Sequence, residues 1–175
     1  MIYFGADWHL YHKKVLQFTN RPFDDIDIMK ECFLYEWRSK VAKEDIVYLL
    51  GDVTFSNKAI EDLEGLPGYK VLIKGNHDPN KFSFRSNIWD ETADYAEIKV
   101  GDQHLVLMHF PIESWHRMGY GAIHLHGHTH NNISHEISKK RNRIDVGYDH
   151  TNQALSTLDE LLELQRQEEI ADKFN

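Results

Sequence analysis

Apolar and polar positions alternate in blocks along the first half of the chain, in the way typical of a parallel α/β sheet. Short apolar runs at Met1–Ala6, Asp45–Leu50 and Tyr69–Lys74 predict three strands. Between them, the periodicity of Asp24–Val41 and of the shorter stretch Ser56–Glu64 predicts two helices. A strand–helix–strand succession of this kind indicates parallel pairing through right-handed crossovers.

The second half of the chain predicts shorter connections and further strands. Tyr95–Val100 and Gln103–His109 flank Gly101-Asp102, a dipeptide that favours a two-residue hairpin turn. The stretch Thr157–Glu160 has the spacing of a capping box before a C-terminal helix. The other predicted strands are Ala122–His126 and Arg141–Val146, with a hairpin arm at Ile133–Ile137. We therefore predict one α/β domain over residues 1–175, built on two sheets.

The composition narrows the class of protein. With 41% hydrophobic and 27% charged positions in 175 residues, the chain is typical of a globular domain and has no apolar run of transmembrane length. The net charge of −8 argues against a general nucleic-acid binder, which usually carries a basic face. No signal peptide is visible, so we expect a cytoplasmic protein, either bacterial or encoded by a phage.

The single cysteine predicts a structural role, whereas the many histidines predict a chemical site. Cys32 excludes an internal disulfide and a cysteine-based zinc ribbon. Because it lies within the helical pattern of Met29, Phe33 and Trp37, we predict a buried structural thiol. Histidine, in contrast, is overrepresented: there are 12, and eight of them lie between His104 and His135. Since histidine is the commonest metal ligand and a frequent proton carrier, this excess indicates a metal or acid–base site.

Five predicted strands end in side chains that carry metal-binding atoms. These side chains are Asp7 and His9, Asp52, Asn76, His109, and His128 with His130. In open α/β sheets the carboxyl ends of the strands form the ligand-binding edge, so we expect these residues to lie close together. Seven oxygen and nitrogen donors are too many for one tetrahedral ion and suit two divalent ions that share a carboxylate. The absence of sulfur favours Mn²⁺, Fe, Zn²⁺ or Ni²⁺ over soft metals.

The same residues form a series of short motifs in a fixed order. The series Asp7-x-His9, Gly51-Asp52, Gly75-Asn76-His77-Asp78, His109 and Gly127-His128-x-His130 resembles that of the calcineurin-like metallophosphoesterases and covers residues 7–130. His12 and the segment Asn20–Phe23 are similar to features of a small, cap-less subgroup of bacterial and phage phosphoesterases, which carry a second histidine and an Asn-Arg-Pro-Phe segment.

This resemblance implies a fold and a set of residue roles. The fold is a four-layer αββα sandwich, with helices flanking two mixed β-sheets. The implied ligands of the first metal are Asp7, His9 and His130, those of the second are Asn76, His109 and His128, and Asp52 bridges the two. His77 matches the catalytic histidine, which contacts the substrate phosphate and protonates the leaving oxygen as general acid. We expect Asp78 or a backbone carbonyl to orient the His77 ring.

Several other side chains leave two interpretations open. His12 and Arg21 either contact the phosphate or substrate, or are a helix-start residue and a solvated arginine. Trp115 and Tyr120 either stack on a base or close the core, and we favour packing. We expect the basic cluster Lys139–Arg143 on a solvated hairpin turn. The histidines without an assigned role, expected to be packed or exposed, are His104, His116, His124, His126, His135 and His150.

Three functions compete at this point. We favour a dinuclear metal-dependent phosphoesterase that hydrolyses a small, nucleotide-like mono- or diester by in-line attack of a metal-bridging hydroxide. The alternative is a nuclease, since the exonuclease of double-strand-break repair shares the resemblance, but the acidic net charge argues against it. The third is a non-catalytic binding protein, like the retromer subunit that keeps the fold without key ligands, and the full ligand set with His77 argues against it.

Overall fold

Two β-sheets packed face to face form the centre of the molecule. The computed structural model describes residues 1–84, 87–132 and 142–173. In these ranges the strands are β1 (Ile2–Gly5), β2 (Ile46–Leu49), β3 (Tyr69–Ile73), β4 (Glu91–Ala93), β5 (Ala96–Val100), β6 (Gln103–Leu107), β7 (Ile123–His126), β8 (Arg143–Asp145) and β9 (Ser156–Thr157). The helices are α1 (Val15–Phe18), α2 (Ile26–Lys40), α3 (Ala59–Leu63), α4 (Asn80–Phe84), α5 (Tyr148–Thr151) and α6 (Leu158–Lys173).

Both sheets are mixed. The first has the strand order β4-β3-β2-β1-β9, in which β1 to β4 run parallel and β9 pairs antiparallel with β1. The second has the order β5-β6-β7-β8, in which β5 and β6 form the predicted antiparallel hairpin and β6, β7 and β8 run parallel. The carboxyl ends of β1 to β3 and of β6 and β7 therefore bring their following loops to one edge of the molecule.

The strands β1, β2 and β3 of the first sheet have apolar clusters on both faces, which explains why they are almost continuously apolar. In β2, Val47 and Leu49 point into the cluster formed with the helices, while Tyr48 and the following Leu50 point into the cluster between the sheets. Leu105 and Leu107 of β6 approach that second cluster from the opposite sheet. The alternation follows from the period of two along a strand.

Helix α2 covers the outer face of the first sheet. The Asp25 side chain accepts a hydrogen bond from the backbone N–H of Asp27 at 2.7 Å and so caps the helix. Met29, Phe33 and Trp37 are buried at the helical spacing, as predicted. The predicted burial of the Cys32 thiol is wrong, because this residue is exposed. One step along a helix rotates a side chain by about 100°, which turns Cys32 away from the apolar stripe.

The outer face of the second sheet is covered by the segment after β6. Trp115 packs with Val106 and Ala122, and its indole N–H donates to the Ala122 carbonyl at 2.9 Å. Packing is thus confirmed for Trp115, but it is wrong for Tyr120, which is 88% exposed. At the C-terminus, the N–H of Thr157 donates to Glu160 at 2.7 Å, and the capping box is confirmed.

These layers confirm the fold class of two mixed sheets flanked by helices. Arg143 is buried in β8 and donates to the Ile112 carbonyl at 3.2 Å, so the prediction of a solvated turn is wrong for this residue. The rest of the basic cluster before Asn142 and the predicted arm Ile133–Ile137 lie outside the described residues. In the ranges that the structure describes, none of the helices has the length and apolar character needed to cross a bilayer.

Candidate metal centre

The loops after β1 and β2 run side by side beyond the ends of their strands. The N–H of Asp7 donates to the Gly51 carbonyl at 3.0 Å, and the N–H of His9 donates to the Asp52 carbonyl at 2.9 Å. The parallel pairing of the strands thus continues into the loops. These backbone hydrogen bonds fix the positions from which the side chains of Asp7, His9 and Asp52 extend.

Five of the seven predicted ligands adopt the left-handed backbone conformation. Their φ angles are 55° for Asp7, 50° for His9, 51° for Asp52, 71° for His128 and 47° for His130. Asp and His tolerate this region better than most residues, although it still costs about 1 kcal/mol or more. Strained backbone of this kind clusters at functional sites, where the surrounding structure holds it in place.

The first group of donors consists of Asp7, His9 and His130, whose ligating atoms lie within 4.8 Å of one another. The two Nε2 atoms of His9 and His130 are 3.1 Å apart. The Asp7 Oδ1 atom is buried and has no hydrogen-bond partner among the described residues. A buried carboxylate oxygen without a partner is costly in a protein interior, and a cation at this point would satisfy it.

The second group consists of Asp52, His109 and His128, again within 4.8 Å. The Nδ1 atom of His109 lies 2.7 Å from the Leu50 carbonyl and donates its proton there, which directs Nε2 towards Asp52. Burial lowers the pKa of His109, but the hydrogen bond to Asp52 and the charges of Asp7 and Asp52 outweigh it and raise the pKa to about 9, so a metal ion at Nε2 would displace a proton. That Nε2 atom is 3.6 Å from Asp52 Oδ1 and 3.2 Å from Asn76 Oδ1. Asn76 therefore joins this group.

Asp52 belongs to the second group and also approaches the first, so it connects the two groups. Its Oδ2 atom is 3.9 Å from His9 Nε2, while its Oδ1 atom faces His109 of the second group. The structure thus brings all seven predicted ligands to one edge, with the carboxylate that was predicted to bridge in the middle. His77 lies at the same edge, with its Nε2 4.0 Å from Asp52 Oδ2 and its side chain 47% exposed.

The charges of this cluster fit a divalent cation. Burial, and then the charge of Asp145, raise the pKa of Asp7 to about 8. Burial also lowers the pKa of His9 to about 3, so its ring is neutral and keeps a lone pair. Burial opposes ionisation of Asp52, but the hydrogen bond and charge of His109 outweigh it and lower the pKa of Asp52 to about 2. Buried carboxyl groups beside several imidazoles form a donor set that a bound cation completes by displacing their protons.

Arg21 and Asp149 form an ion pair that contacts two members of the first group, Asp7 and His130. Neither sequence-based interpretation of Arg21 describes this position. Arg21 is only 5% exposed, and its guanidinium donates twice to the Asp149 carboxylate, both at 2.7 Å. It also donates to the carbonyl oxygens of Trp8 at 3.0 Å and Asp7 at 2.6 Å. The guanidinium is therefore neither solvated nor free to contact a phosphate.

Asp149 is a site residue that the sequence analysis missed. His130 places its Nδ1 2.6 Å from the Asp149 carboxylate, an arrangement that fixes the proton on Nδ1 and directs Nε2 towards His9. Burial opposes ionisation of Asp149, but hydrogen bonds from Arg21 and His130 hold its pKa well below the usual range. No local motif marks Asp149, because its partners lie far away in the sequence.

Replacing Arg21 with methionine is expected to destabilise the protein by about 3–5 kcal/mol, because it leaves the buried Asp149 carboxylate without its cation. Metal affinity should also fall by roughly 10–100-fold, as is usual when the support of a ligating histidine is lost. Urea unfolding of the metal-free protein measures the first effect, and titration with Mn²⁺ the second. Arg38→Met, on the exposed side of α2, is the matched control, and equal stability of the two variants would contradict the expectation.

Asp78 organises the loops of the site instead of orienting His77. Its carboxylate accepts hydrogen bonds from the backbone N–H groups of Asp52 (2.9 Å), Val53 (2.8 Å), Thr54 (3.2 Å) and Gly75 (2.9 Å). The expectation that Asp78 orients the His77 ring is therefore wrong. What Asp78 does is tie the loop after β2 to the loop after β3, and the N–H of His77 then donates to Asp52 Oδ1 at 2.9 Å.

Gly75 is required where these two loops meet. A Cβ at this position would lie 2.2 Å from both the backbone nitrogen and the Oδ1 atom of Asp52. Any side chain would therefore displace the central carboxylate of the site. This explains why a glycine precedes Asn76 and His77 in the motif.

Two phenylalanines at the rim of the site were also missed. Phe55 stacks on His12 with ring centroids 4.3 Å apart and on His77 at 4.6 Å. Phe110 packs against His128 at 4.6 Å on the side of the second group. His12 is half-buried beside His9, and its predicted substrate contact stays a prediction. The only sequence signal for these aromatic residues was their place one to three positions after a ligand.

Two of the histidines without an assigned role have partners outside the donor groups. His124 is buried against the carbonyl oxygens of Val106 and Phe110, and His116 pairs with Glu97 at the surface. His135 lies outside the described residues.

Asp145, which the sequence analysis did not single out, accepts hydrogen bonds from the Thr129 hydroxyl, the Asn131 N–H and the Gly147 N–H. These bonds fix the loop that carries His128 and His130.

Comparison with known proteins gives relatives of the whole chain. The uncharacterised protein MJ1445 of Methanocaldococcus jannaschii is 33% identical over 170 residues, which cover 93% of this chain and 90% of that protein. The gene 66 protein of Mycobacterium phage D29 is 30% identical over 178 residues, covering 85% of this chain and 87% of that protein. No protein-family model matches the chain.

Comparison with solved structures gives one match over nearly the whole chain and a weaker, partial one. The protein of unknown function AQ665 from Aquifex aeolicus superimposes with a TM-score of 0.75 at 24% identity, covering 94% of this chain and 98% of that one. A phosphoesterase from E. coli, YfcE, matches with a TM-score of 0.43 at 20% identity, covering 74% of this chain and 69% of that one. The Aquifex structure shows that the fold described here occurs as a whole in another protein.

Proposed function

This chain belongs to one family with the archaeal protein MJ1445 and the gene 66 protein of phage D29, and we propose, from the donor groups described above, that it is a calcineurin-like, metal-dependent phosphoesterase. We propose that its substrate is a small, nucleotide-like phosphate mono- or diester. The observation that carries the proposal is the pair of His/Asp groups at one edge of the fold, with Asp52 between them.

The residues of the two groups would hold two divalent ions. Asp7, His9 and His130 would hold one, and Asn76, His109 and His128 the other, with Asp52 shared. The donors are oxygen and nitrogen atoms, which suit Mn²⁺, Fe, Zn²⁺ or Ni²⁺. When bound, two such ions supply an activated water and a positive charge that faces the phosphoryl group.

The chain contributes few enough negative charges for the loaded site to attract a phosphate ester. Two divalent ions bring +4, and the carboxylates of Asp7 and Asp52 bring −2, so about +2 remains. Asn76 contributes an amide oxygen without a further negative charge, whereas an aspartate at that position would cancel more of the attraction. An acidic protein can in this way bind an anionic substrate locally.

His77 is the proposed general acid. Its side chain is 47% exposed and lies beside the ligands without belonging to either group of donors. Its backbone N–H is held by Asp52 Oδ1, so the residue keeps a fixed position relative to the shared carboxylate. From there the protonated ring can transfer its proton to the leaving oxygen as the ester bond breaks. His12 is the proposed second contact of the substrate.

The test is hydrolysis of model esters by the Mn²⁺-loaded protein. Bis-p-nitrophenyl phosphate, p-nitrophenyl phosphate and a panel of nucleotides separate diesterase from monoesterase activity. We expect turnover of at least one class, and Asp52→Asn should abolish it because both groups lose a shared ligand. Protein that carries two ions and hydrolyses none of these esters would favour a binding protein instead.

Activity on a small ester is expected to depend only weakly on salt, which distinguishes this proposal from a nuclease. A protein that follows a nucleic-acid backbone loses roughly 0.7–0.9 log units of affinity per log unit of salt for each phosphate it neutralises. With 28 acidic against 20 basic residues, we propose that this chain has no extended nucleic-acid surface. Measuring kcat/KM for a dinucleotide and a 20-mer at two salt concentrations tests this, and a large, salt-sensitive advantage of the 20-mer would establish the nuclease.

A further inference from the structure

We propose that Phe55 is a positioning residue that holds the His77 and His12 rings in place at the rim of the metal centre. This inference rests on the proposed function, because the importance of His77 depends on it. It also concerns a residue without polar chemistry, which no motif in the chain marks. The argument starts from how Phe55 itself is held.

The backbone of Phe55 is anchored to the loops that carry the ligands. Its N–H donates to the Leu10 carbonyl at 3.1 Å, and the preceding Thr54 donates from its hydroxyl to the same carbonyl at 3.2 Å. Thr54 and Leu10 also form a parallel bridge. Phe55 thus extends the pairing that places His9 and Asp52, and its ring starts from a rigid backbone.

The Phe55 ring contacts three imidazoles. It stacks on His12 with centroids 4.3 Å apart and planes 14° from parallel, and on His77 at 4.6 Å and 24°. It also meets His9 at 5.4 Å in a tilted arrangement. Near-parallel contacts at these distances are within the favourable range for aromatic pairs. One side chain therefore connects a proposed ligand, the proposed general acid and the proposed substrate contact.

His77 needs such a contact because little else restrains its ring. The residue is anchored through its backbone N–H, but its ring makes no hydrogen bond to the residues that the structure describes. The approach of Nε2 to Asp52 Oδ2, at 4.0 Å, is longer than a hydrogen bond. Among the described residues the His77 ring also meets the His9 ring, but at 6.0 Å and 59°, so the closer stacking on Phe55 is the contact that most limits the rotation of this half-exposed side chain.

Loss of this contact should affect proton transfer selectively. A general acid acts only at hydrogen-bond distance from the leaving oxygen, and a displacement of about 1 Å can cost roughly 10²-fold in rate. An ester with a good leaving group needs little protonation and should tolerate the displacement. The sign of a positioning role is therefore a rate loss that grows as the leaving group becomes poorer.

The experiment compares Phe55→Leu with Phe55→Tyr and Phe18→Leu. Phe55→Tyr keeps the ring, and Phe18→Leu removes an exposed ring that lies 6.3 Å from His12 and is not among the ring contacts of His77. Two readouts are used. The first is the proton chemical shifts of the histidine rings in the metal-free protein, which report stacking. The second is kcat on a p-nitrophenyl ester and on its alkyl counterpart, with metal content measured for each variant.

Three results support the inference when they occur together. Phe55→Leu shifts the His12 and His77 ring signals, keeps its metal content, and loses up to about 10²-fold in kcat on the alkyl ester while changing little on the p-nitrophenyl ester. Phe55→Tyr restores the wild-type pattern, and Phe18→Leu leaves the His77 signals and the ratio of the two rates unchanged.

Other results overturn it. An equal loss on both esters, or no loss on either, shows that Phe55 does not position the general acid. If the wild type hydrolyses neither ester, the proposed function has failed, and the ring signals then test only whether Phe55 stacks on the two histidines. Unchanged His77 signals in a folded Phe55→Leu variant would contradict the inference in every case.

Discussion

Replacing His77 with alanine is expected to lower kcat by roughly 10²–10⁴-fold on an ester with a poor leaving group, the usual contribution of a general acid. The loss should be smaller for p-nitrophenolate, which departs without protonation. Metal content should stay at the wild-type level, because the ligating atoms come from the two groups around Asp52 and His77 belongs to neither. Steady-state kinetics on both esters, with elemental analysis of each preparation, measures these effects.

The control for His77 is His116→Ala. This histidine is exposed and pairs with Glu97 at the surface, outside the candidate site. It should behave like the wild type in both assays. The assignment of His77 is wrong if His77→Ala loses its metal ions, or if it hydrolyses esters with poor leaving groups at the wild-type rate.

Removing the metal ions is expected to abolish activity altogether. Seven donors in two groups predict two divalent ions per chain. Ions that bind only the folded protein stabilise it by about 2.7 kcal/mol per site when present at 100 times the dissociation constant. For a chain of this length that corresponds to a fall in Tm of roughly 5–10 °C per site on chelation.

Elemental analysis after Mn²⁺ reconstitution and thermal unfolding with and without chelator test this prediction. Activity and Tm should both return when Mn²⁺ is added back, which excludes damage by the chelator. Asp52→Asn should lose ions from both groups, since each of them approaches this carboxylate. A fully active protein that holds no more than one ion would remove the dinuclear proposal.

The positions of most strands along the chain and the edge that carries the candidate site followed from local patterns. The strand β2 could be predicted because a buried parallel strand needs a short apolar run, and such a run ends at Leu50. Asp52 comes two positions after this run. It could be expected at the ligand-binding edge because the carboxyl ends of all parallel strands lie at the same edge of a sheet. Both predictions use only residues that are neighbours in the sequence. The structure places Asp7, Asp52 and His109 in the donor groups at the predicted edge.

Side chains whose partners are distant could not be assigned in this way. Arg21 looked like a surface or substrate residue, but it lies buried against Asp149, 128 positions further along the chain. Asp78 looked like a partner for the adjacent His77, whereas four backbone N–H groups use its carboxylate. Polar side chains in an interior bind whichever group the packing brings near, because leaving them unpaired is costly.

The sequence by itself determined which residues carry potential metal-binding atoms and on which edge they meet, since strand periodicity and chain direction are local properties. Only the tertiary structure decided which groups support them. Asp149 directs His130, Asp145 fixes the loop around it, and Phe55 stacks between His12 and His77. Each of these contacts joins segments at or after the ends of different strands, so their geometry exists only once those strands have paired within their sheet.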